Sequence, residues 1–161
     1  MPDLETSRLR LHPLSGAEAE ALHAGVLPDG WVYADGYPLP DTKDGVGLFL
    51  RHGDRDYGFH FVVRQEDDHV IGEIGFVEPP QGGSVTIGYA IVPSARRRGY
   101  ATEAIVAVTE WSLAQSDVTR VRAQTLPDNE ASMRALRSAG FEEDDPGPRV
   151  RRFVKAVRRA G

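Results

Sequence analysis

Apolar and polar residues alternate along the middle of the chain in a pattern that predicts a strand, a turn and a helix. Residues 85–91 place Val, Ile, Tyr and Ile at every second position, and this β-branched and aromatic alternation favours a strand. Residues 100–115 carry apolar side chains over a wide arc, which predicts a helix packed against a sheet. Residues 96–101 form a basic turn between the two. The sequence therefore predicts a strand–turn–helix unit at the centre of the chain.

The residues before this unit predict antiparallel strands. Two runs rich in Val, Ile and Phe, residues 59–64 and 70–77, are joined by a polar turn, and a second turn leads to the central strand. Such short connections predict three successive antiparallel strands. Further upstream, residues 8–14 alternate polar and apolar side chains around a proline, which predicts an edge strand.

A helical region and a loop are expected between the first strand and these antiparallel strands. Ser15 is expected to cap a helix over residues 17–24, which ends at Gly25. Residues 26–44 are rich in Gly, Pro and Asp, and we expect them to form an ordered loop. Residues 46–51 predict a short second helix.

After the central helix, the pattern predicts a strand, a helix and two further strands. Residues 119–125 should run parallel to residues 85–91, because a helix connects the two segments. The remaining expected elements are a helix over residues 129–139 capped by Asp128 and ended by Gly140, a strand starting at Phe141, a loop over residues 142–148 and a strand over residues 150–157. This order predicts an α+β fold with a mixed, mostly antiparallel central sheet flanked by helices, in one domain over residues 1–161.

Composition removes several classes of function. The formal net charge of −5 argues against a general nucleic-acid binder. The chain has no cysteine, so disulfides, thiol nucleophiles and thiolate metal sites are excluded. The five histidines are dispersed, so we expect no metal site. No run is long and apolar enough for a signal or a membrane span, so no membrane partner is expected and a cytoplasmic location is the default.

The basic turn has the properties of a phosphate-binding site. Gly99 can adopt a positive φ and its missing side chain would let a phosphate approach the backbone, while Ala101 is also small. The first amides of the following helix have no intrahelical partners and lie at the positive end of its dipole. A diphosphate fits this chemistry. The alternative is a solvated basic turn that starts an ordinary helix.

Three segments carry a resemblance to a known family. Arg96-x-x-Gly99-x-Ala101, entered from Val92-Pro93, resembles the acyl-CoA-binding signature Q/R-x-x-G-x-G/A of the GCN5-related N-acetyltransferases. Residues 4–11 resemble the L-x-T-x-R-L-x-L opening of the RimJ/RimL-like branch of that family. Residues 129–132, followed by Gly-Phe at 140–141, resemble its N-x-x-S signature.

The resemblance implies a direct transfer of an acyl group, expected to be acetyl, from acetyl-CoA to a primary amine. It implies that Asn129 bonds the pantetheine or diphosphate arm and that Ser132 protonates the leaving thiolate. An Asn that only begins a helix and a neutral helix Ser are the alternatives. The expected coenzyme-binding residues are Ile91, Val92, Arg96, Arg97, Arg98, Gly99, Tyr100, Ala101, Thr102, Asn129 and Ser132.

The polar groups that the reaction needs are assigned less directly. Because Pro93 ends regular strand pairing, we expect a free backbone amide near Val92 to stabilise the thioester oxygen. The resembling proteins usually read E-I-G-Y on the central strand, whereas this chain has Thr86 in place of the glutamate. Glu73 on the neighbouring strand is the replacement candidate for the catalytic base, through a water molecule, and a surface carboxylate is its alternative.

Other candidate residues and functions stay open. Glu78 and His60 are further candidates for the base, and Tyr89 is expected either to line the acyl site or to lie in the core. Trp31, Tyr33 and Tyr37 could form an acceptor pocket or only hold their loop to the core.

The acceptor is a protein N-terminus or a small amine, and a homodimer is left open. The alternative functions are a catalytically silent acyl-CoA-binding module and a nucleic-acid or regulatory-partner module. The last would use Arg96–Arg98 and the basic tail Arg149–Arg159.

Overall fold

The computed structural model describes residues 1–54 and 56–157. Arg55, at the end of the predicted loop region, and residues 158–161, at the end of the basic tail, lie outside the described residues. The helices and strands are β1 (Leu4–Glu5), β2 (Leu9–Pro13), α1 (Gly16–His23), β3 (Val32–Tyr33), α2 (Thr42–His52), β4 (Phe59–Arg64), β5 (His69–Phe76), β6 (Ser84–Ile91), α3 (Tyr100–Leu113), β7 (Arg120–Thr125), α4 (Glu130–Ser138), β8 (Glu142–Pro146) and β9 (Arg151–Ala156).

The strands of the described residues form one mixed sheet. Their order is β1-β2-β4-β5-β6-β7-β9-β8, and β3 pairs with β5 beside this path. β6 and β7 are parallel, as are β3 and β5, and the other neighbours are antiparallel. The predicted α+β fold with a mostly antiparallel sheet is therefore confirmed. The long helix α3 connects the two central parallel strands, as the sequence predicted.

The two faces of the sheet are covered by different helices. α3 packs on one face, where Trp111 contacts Phe76 with ring centroids 6.1 Å apart. The opposite face is covered in part by α2 and the loop before it. On that face the fully buried ring of Phe61 meets the rings of Trp31, Tyr33 and Tyr37 at centroid distances of 5.5, 5.9 and 5.8 Å. These aromatic residues hold the loop to the core.

The ends of two helices are set by local hydrogen bonds. Ser15 caps α1 with a reciprocal capping box to Glu18, as its sequence predicts. The cap of α4 is Asn129 rather than the predicted Asp128, because the Oδ1 atom of Asn129 accepts a hydrogen bond from the Ser132 amide at 3.1 Å. Asn129 therefore already has a structural role.

Several predicted boundaries were wrong. β2 is not an edge strand, because β1 pairs with it. α2 begins at Thr42 instead of residue 46, and it buries Val46 and Phe49 despite the glycines that favoured a loop there. The short strand β3 lies in the predicted loop and pairs with β5. In each case packing against the rest of the fold outweighed the local preference.

The predicted loop over residues 142–148 contains the strand β8. Its acidic residues pair with the arginines of β9, which offsets the weak strand preference of Glu and Asp. Arg151 Nη2 lies 2.6 Å from Glu143 Oε1, and Arg152 Nη1 lies 2.8 Å from Asp145 Oδ2. These two arginines of the predicted basic tail are therefore paired with carboxylates of the same chain.

Phe61→Ala should destabilise the fold by about 3–5 kcal/mol, because it removes a fully buried ring that three loop aromatics contact. Chemical denaturation followed by circular dichroism measures the change. Val32→Ala is the control, since the Val32 side chain is 58% exposed, and its free energy of unfolding should stay within about 0.5 kcal/mol of the parent. A similar small change for Phe61→Ala would contradict its central position.

Candidate active site

The parallel pairing of β6 and β7 ends halfway along β6. It runs from Ser84–Arg120 to Ile87–Ala123. On its other edge, β6 stays paired with β5 as far as Ile91–Gly72. Among the described residues no strand therefore pairs with residues 88–91 on the β7 side. The result is an opening in the sheet between the second half of β6 and the end of β7.

The directions of the backbone amides show which donors face this opening. The Val92 amide donates to the Ile71 carbonyl at 2.9 Å, so the free amide expected near Val92 is not that of Val92 itself. Amides alternate between the two edges of a strand, so those of Tyr89 and Ile91 point away from β5 and towards β7. Within the described part of the chain, the Ile91 amide has no ladder partner on that side. The amide near Val92 that faces the opening is therefore that of Ile91.

The basic turn follows directly from this free edge. A short 3₁₀ helix over residues 93–95 leads into it, and the backbone is left-handed at Arg97, with φ +65°, and at Gly99, with φ +78°. α3 begins at Tyr100, and no side chain of the described residues caps its start. The first amides of α3 thus have no capping partner, as a phosphate-binding turn requires.

The three arginines of the turn have different surroundings. All three are exposed. Arg96 is turned back towards the strand, where its Nε donates to the Ile91 carbonyl at 2.9 Å. This bond occupies the Ile91 carbonyl and leaves the amide of the same residue as the donor that faces the opening. Arg97 and Arg98 place positive charge at the start of α3.

Gly99 is closely approached by a residue that the sequence analysis did not assign to the site. A Cβ atom added at Gly99 would lie 3.3 Å from Nη2 of Arg8. The prediction that the missing side chain leaves this side of the turn open to a phosphate is therefore incomplete, because a guanidinium already lies there. The only sequence signal was the resemblance of residues 4–11 to a family motif.

Tyr89 and Ser132 form a pair beside the opening. The Tyr89 hydroxyl lies 2.5 Å from Ser132 Oγ and 3.4 Å from the Ser132 carbonyl oxygen. Burial raises the pKa of Tyr89 to about 12, and the hydrogen bond with Ser132 offsets part of this shift. Tyr89 therefore stays protonated near neutral pH. Its hydroxyl contacts a predicted site residue, so a simple core position is not the whole of its role.

Glu73 lies on the opposite face of the sheet from this pair. It is opposite Ala90 in the ladder, whereas Tyr89 is opposite Ile74 on the α3 face. Only 5% of Glu73 is exposed, so its interpretation as a surface carboxylate was wrong. The structure does not bring Glu73 together with Ser132.

Two hydroxyl groups enclose the Glu73 carboxylate. Its Oε2 accepts hydrogen bonds from Tyr37 at 2.8 Å and from Thr42 at 3.0 Å. Burial raises the pKa of Glu73, and the two hydroxyl donors offset part of this shift. The carboxylate is a stronger base than an exposed glutamate would be.

Thr86, which stands where the resembling proteins usually have a glutamate, lies on the same face as Glu73. It is four residues from Ala90, the ladder partner of Glu73, which corresponds to about 13 Å along the strand. The other two candidate bases, His60 and Glu78, occupy less suitable positions. His60 is wholly buried on β4, two strands from the opening, and burial lowers its pKa to about 4. Glu78 is exposed beyond the end of β5 and lines a surface groove with Leu48 and His52.

Within residues 1–54 and 56–157, no helix is long and apolar enough to cross a bilayer. No group of three or more His, Asp or Glu side chains is arranged there to hold a metal ion.

Comparisons with known proteins agree with this geometry. The family model described as "Acetyltransferase (GNAT) domain" matches residues 8–142. Two Bacillus subtilis proteins are similar over most of their length. The uncharacterized N-acetyltransferase YjdG is 29% identical over 86% of this chain and 88% of its own. The uncharacterized N-acetyltransferase YoaA is 30% identical over 89% and 84%.

Solved structures share the fold. An acetyltransferase from Agrobacterium tumefaciens str. C58 superposes with a TM-score of 0.68 and 23% identity, over 98% of this chain and 95% of its own. RimL, a ribosomal L7/L12 alpha-N-protein acetyltransferase solved in complex with coenzyme A, gives a TM-score of 0.70 and 20% identity, over 97% and 98%. By the match of the family model and the similarity of its relatives, the chain belongs to the GNAT family of acetyltransferases.

Proposed function

We propose that this acetyltransferase moves the acetyl group of acetyl-CoA directly to a primary amine. The observation that carries the proposal is the opening between β6 and β7, where the Ile91 amide and the Tyr89–Ser132 pair lie next to the basic turn. A nucleophilic side chain is not required, because an amine acceptor attacks the thioester itself. An α-amine has a pKa of about 8, so part of it is already neutral near pH 7.

The residues of the turn fit a coenzyme. The positive φ of Gly99 and the uncapped start of α3 present backbone donors, and Arg97 and Arg98 add positive charge. The diphosphate would be held by this turn. The pantetheine arm would lie along the free edge of β6, where Tyr89 and Ile91 offer amides that no strand uses.

Three groups of the chain serve the transfer at this edge. The thioester supplies the activated acetyl carbonyl. The Ile91 amide donates to the carbonyl oxygen as negative charge develops on it, a kind of contact worth about 2.7–4 kcal/mol. Ser132 donates its hydroxyl proton to the departing sulfur, and Tyr89 orients that hydroxyl by donating to Ser132 Oγ. Asn129 positions Ser132 by capping the first turn of α4.

Glu73 is proposed as the base that removes the amine proton, through a water molecule. Glu73 and Ser132 lie on opposite faces of the sheet, so the base and the proton donor can approach the reacting atoms from different sides. The raised pKa of Glu73 makes it a better proton acceptor. Tyr37 and Thr42 fix the orientation of its carboxylate.

The acceptor class remains broad within this proposal. RimL is named for the N-terminus of a ribosomal protein, and another protein with this fold, a chimera of the Vibrio cholerae enzyme SpeG, is named as a spermidine N-acetyltransferase. That chimera has a TM-score of 0.65 and 18% identity, which shows a shared fold only. A protein N-terminus and a small amine are therefore both proposed as acceptors.

A catalytically silent acyl-CoA-binding module is the second candidate function. Thr86 favours it, because the resembling proteins usually have a glutamate at this position. The enclosure of Glu73 by two hydroxyls also limits its access to an acceptor. In this alternative the protein binds acyl-CoA at the same site but does not transfer the acyl group.

An activity assay and a binding measurement together separate the two functions. In a thiol-release assay with acetyl-CoA and a panel of peptides, polyamines and aminoglycosides, the enzyme should release CoA with at least one acceptor. Gly99→Glu should abolish CoA binding, measured by calorimetry, because it puts a negative side chain at the diphosphate turn. Gly82→Glu is the matched control, since Gly82 also has a positive φ and lies in open space.

The outcomes of this test are distinct. Tight CoA binding without release on any acceptor would favour the silent module. A loss of CoA binding in both glycine variants would indicate general misfolding, and retained binding in Gly99→Glu would contradict the position of the diphosphate.

Ser132→Ala should lower kcat about 10- to 100-fold while the Kd for CoA stays within about twofold, because it removes the proton donor and little binding surface. Tyr89→Phe should lower kcat less. The double variant should be no slower than Ser132→Ala, since Tyr89 acts through Ser132.

Tyr57→Phe is the control for Tyr89→Phe, because the Tyr57 hydroxyl donates to Asp117 Oδ1 at 2.9 Å and neither residue belongs to the proposed site. It should leave kcat unchanged. Additive losses in the double variant would separate Tyr89 from Ser132, and an unchanged rate in Ser132→Ala would remove Ser132 from the chemistry.

Glu73→Gln should lower kcat and remove the acid limb of the pH–rate profile, because only the deprotonated carboxylate accepts a proton. The pKa of Glu73 is raised by burial from its ordinary value of 4.5, so activity should fall as the pH drops through the raised value. Glu78→Gln, at an exposed carboxylate, should leave the profile unchanged.

The effect of Glu73→Gln on stability should change with pH in a defined direction. A raised pKa means that the folded state favours the protonated carboxyl. The stabilisation that the protonated Glu73 side chain gives the folded state is therefore present below pH 4.5 and is lost as the pH rises through the raised pKa. The melting temperature of Glu73→Gln minus that of the parent should therefore increase as the pH rises from about 4 to about 8. An unaltered pH–rate profile with this stability change would leave Glu73 as a loop anchor only.

A further inference from the structure

Arg8 reaches from the segment before β2 to the basic turn and the first turn of α3. Its Nε donates to Glu103 Oε1 at 2.8 Å, and its Nη1 donates to the Arg98 carbonyl at 2.7 Å. Its guanidinium also lies 4.4 Å from the centre of the Tyr100 ring. One side chain thus joins the N-terminal segment, the turn and α3.

Glu103 is itself held in place, so it can orient Arg8. Its Oε2 accepts hydrogen bonds from the Thr6 hydroxyl at 2.5 Å and from the Arg8 amide at 3.0 Å. Burial alone would raise the pKa of Glu103, but these donors hold its pKa below the ordinary value. The carboxylate is therefore charged at neutral pH and fixes the guanidinium from the side of α3.

The bond to the Arg98 carbonyl also sets the direction of the next amide. In a trans peptide the carbonyl and the following N–H point in opposite directions. Because the Arg98 carbonyl points at Arg8, the Gly99 amide points away from it. Two residues of the turn, Arg97 and Gly99, have left-handed backbones, and such a conformation in a non-glycine residue persists only where surrounding contacts maintain it.

We propose that Arg8 is a positioning residue for the coenzyme diphosphate, holding the Arg98–Gly99 peptide so that the Gly99 amide faces the ligand. The inference rests on the proposed function. Arg8 also adds positive charge to the turn: its Nη2 lies 3.3 Å from the position of a Gly99 Cβ and has no acceptor among the described residues. The competing role is a structural link between the N-terminal segment and α3, which would affect stability alone.

The test compares coenzyme affinity with stability in three variants. Arg8→Ala should raise the Kd for CoA about tenfold or more, as measured by calorimetry, because it removes a charged hydrogen bond that fixes the amide. Arg8→Lys should recover little of this affinity, because an ammonium lacks the planar fork that bonds Glu103 and the Arg98 carbonyl together. Arg10→Ala is the matched control: it removes the same charge two residues further along the chain, in β2, where the Arg10 guanidinium lies 5.9 Å from the Trp31 ring.

A purely structural role of Arg8 would change the melting temperature but not the Kd or the KM for the coenzyme. The KM for acetyl-CoA should rise in Arg8→Ala while kcat at saturating acetyl-CoA stays within about twofold, since the reacting groups are unchanged. A lower melting temperature with an unchanged Kd in folded Arg8→Ala would overturn the proposal. If Arg8→Ala does not fold, a Kd for Arg8→Lys equal to that of the parent would overturn it equally.

The result for the parent protein separates this inference from the proposed function. If the parent binds no CoA, the proposed function fails and the inference fails with it. If the parent binds CoA and the Arg8 variants bind it equally well, only the role of Arg8 is wrong.

Discussion

The end of the parallel ladder at Ile87–Ala123 is the constraint on which the site depends. A strand in the middle of a sheet normally uses the hydrogen-bonding groups on both of its edges. Beyond Ile87, β6 keeps its bonds to β5 and has none to β7, so its second edge is available to a ligand. The basic turn and α3 follow at once, which places charge and helix amides at the end of this free edge. The proposed binding of a long, flexible coenzyme uses both features, with the free edge of β6 followed directly by the basic turn and the start of α3.

The opening also explains why α4 belongs to the site. Among the described residues β7 has no partner on its opening side beyond Ala123, and the chain then turns into α4. Asn129 caps that helix, and Ser132 in its first turn meets Tyr89 across the opening. The contact joins the two sides of the opening through hydroxyl groups, which can donate protons, instead of through a ladder. The side chains on the other face, Glu73 with Tyr37 and Thr42, are organised separately by the loop before α2 and by its first turn.

The local features of the fold could be predicted because they depend on neighbouring residues. Alternation identified β4, β5, β6 and β7, and the positive φ of Gly99 followed from its type. The free amide could be predicted only as lying near Val92, because the direction of each amide depends on the register with β5, which no local pattern reveals.

Other features depended on contacts between distant segments. Glu73 looked like a surface residue because the groups that cover it lie more than thirty positions upstream. The extent of β8 was wrong, because a strand was predicted to start at Phe141 but residues 142–148 were predicted as a loop, and the pairing of β8 depends on the arginines of β9. The sequence therefore predicted the region of the candidate site, and the long-range contacts decide which groups face it.

The cluster around Arg8 gives a physical reason for a link between two distant motifs. The Thr6–Arg8 segment and the turn at residues 96–103 are about ninety positions apart, yet Glu103 accepts from Thr6 and Arg8 together. The guanidinium lies against the Gly99 side of the turn, so a Cβ atom at this position would lie 3.3 Å from Arg8 Nη2 and would require a small shift of that side chain, besides straining the backbone. Glycine at this position is therefore favoured by the positive φ of the turn and by the approach of Arg8. The proposed coenzyme turn is therefore linked to the rest of the sheet, because Arg8 directly precedes β2, which pairs with β4, and bonds Glu103 on α3.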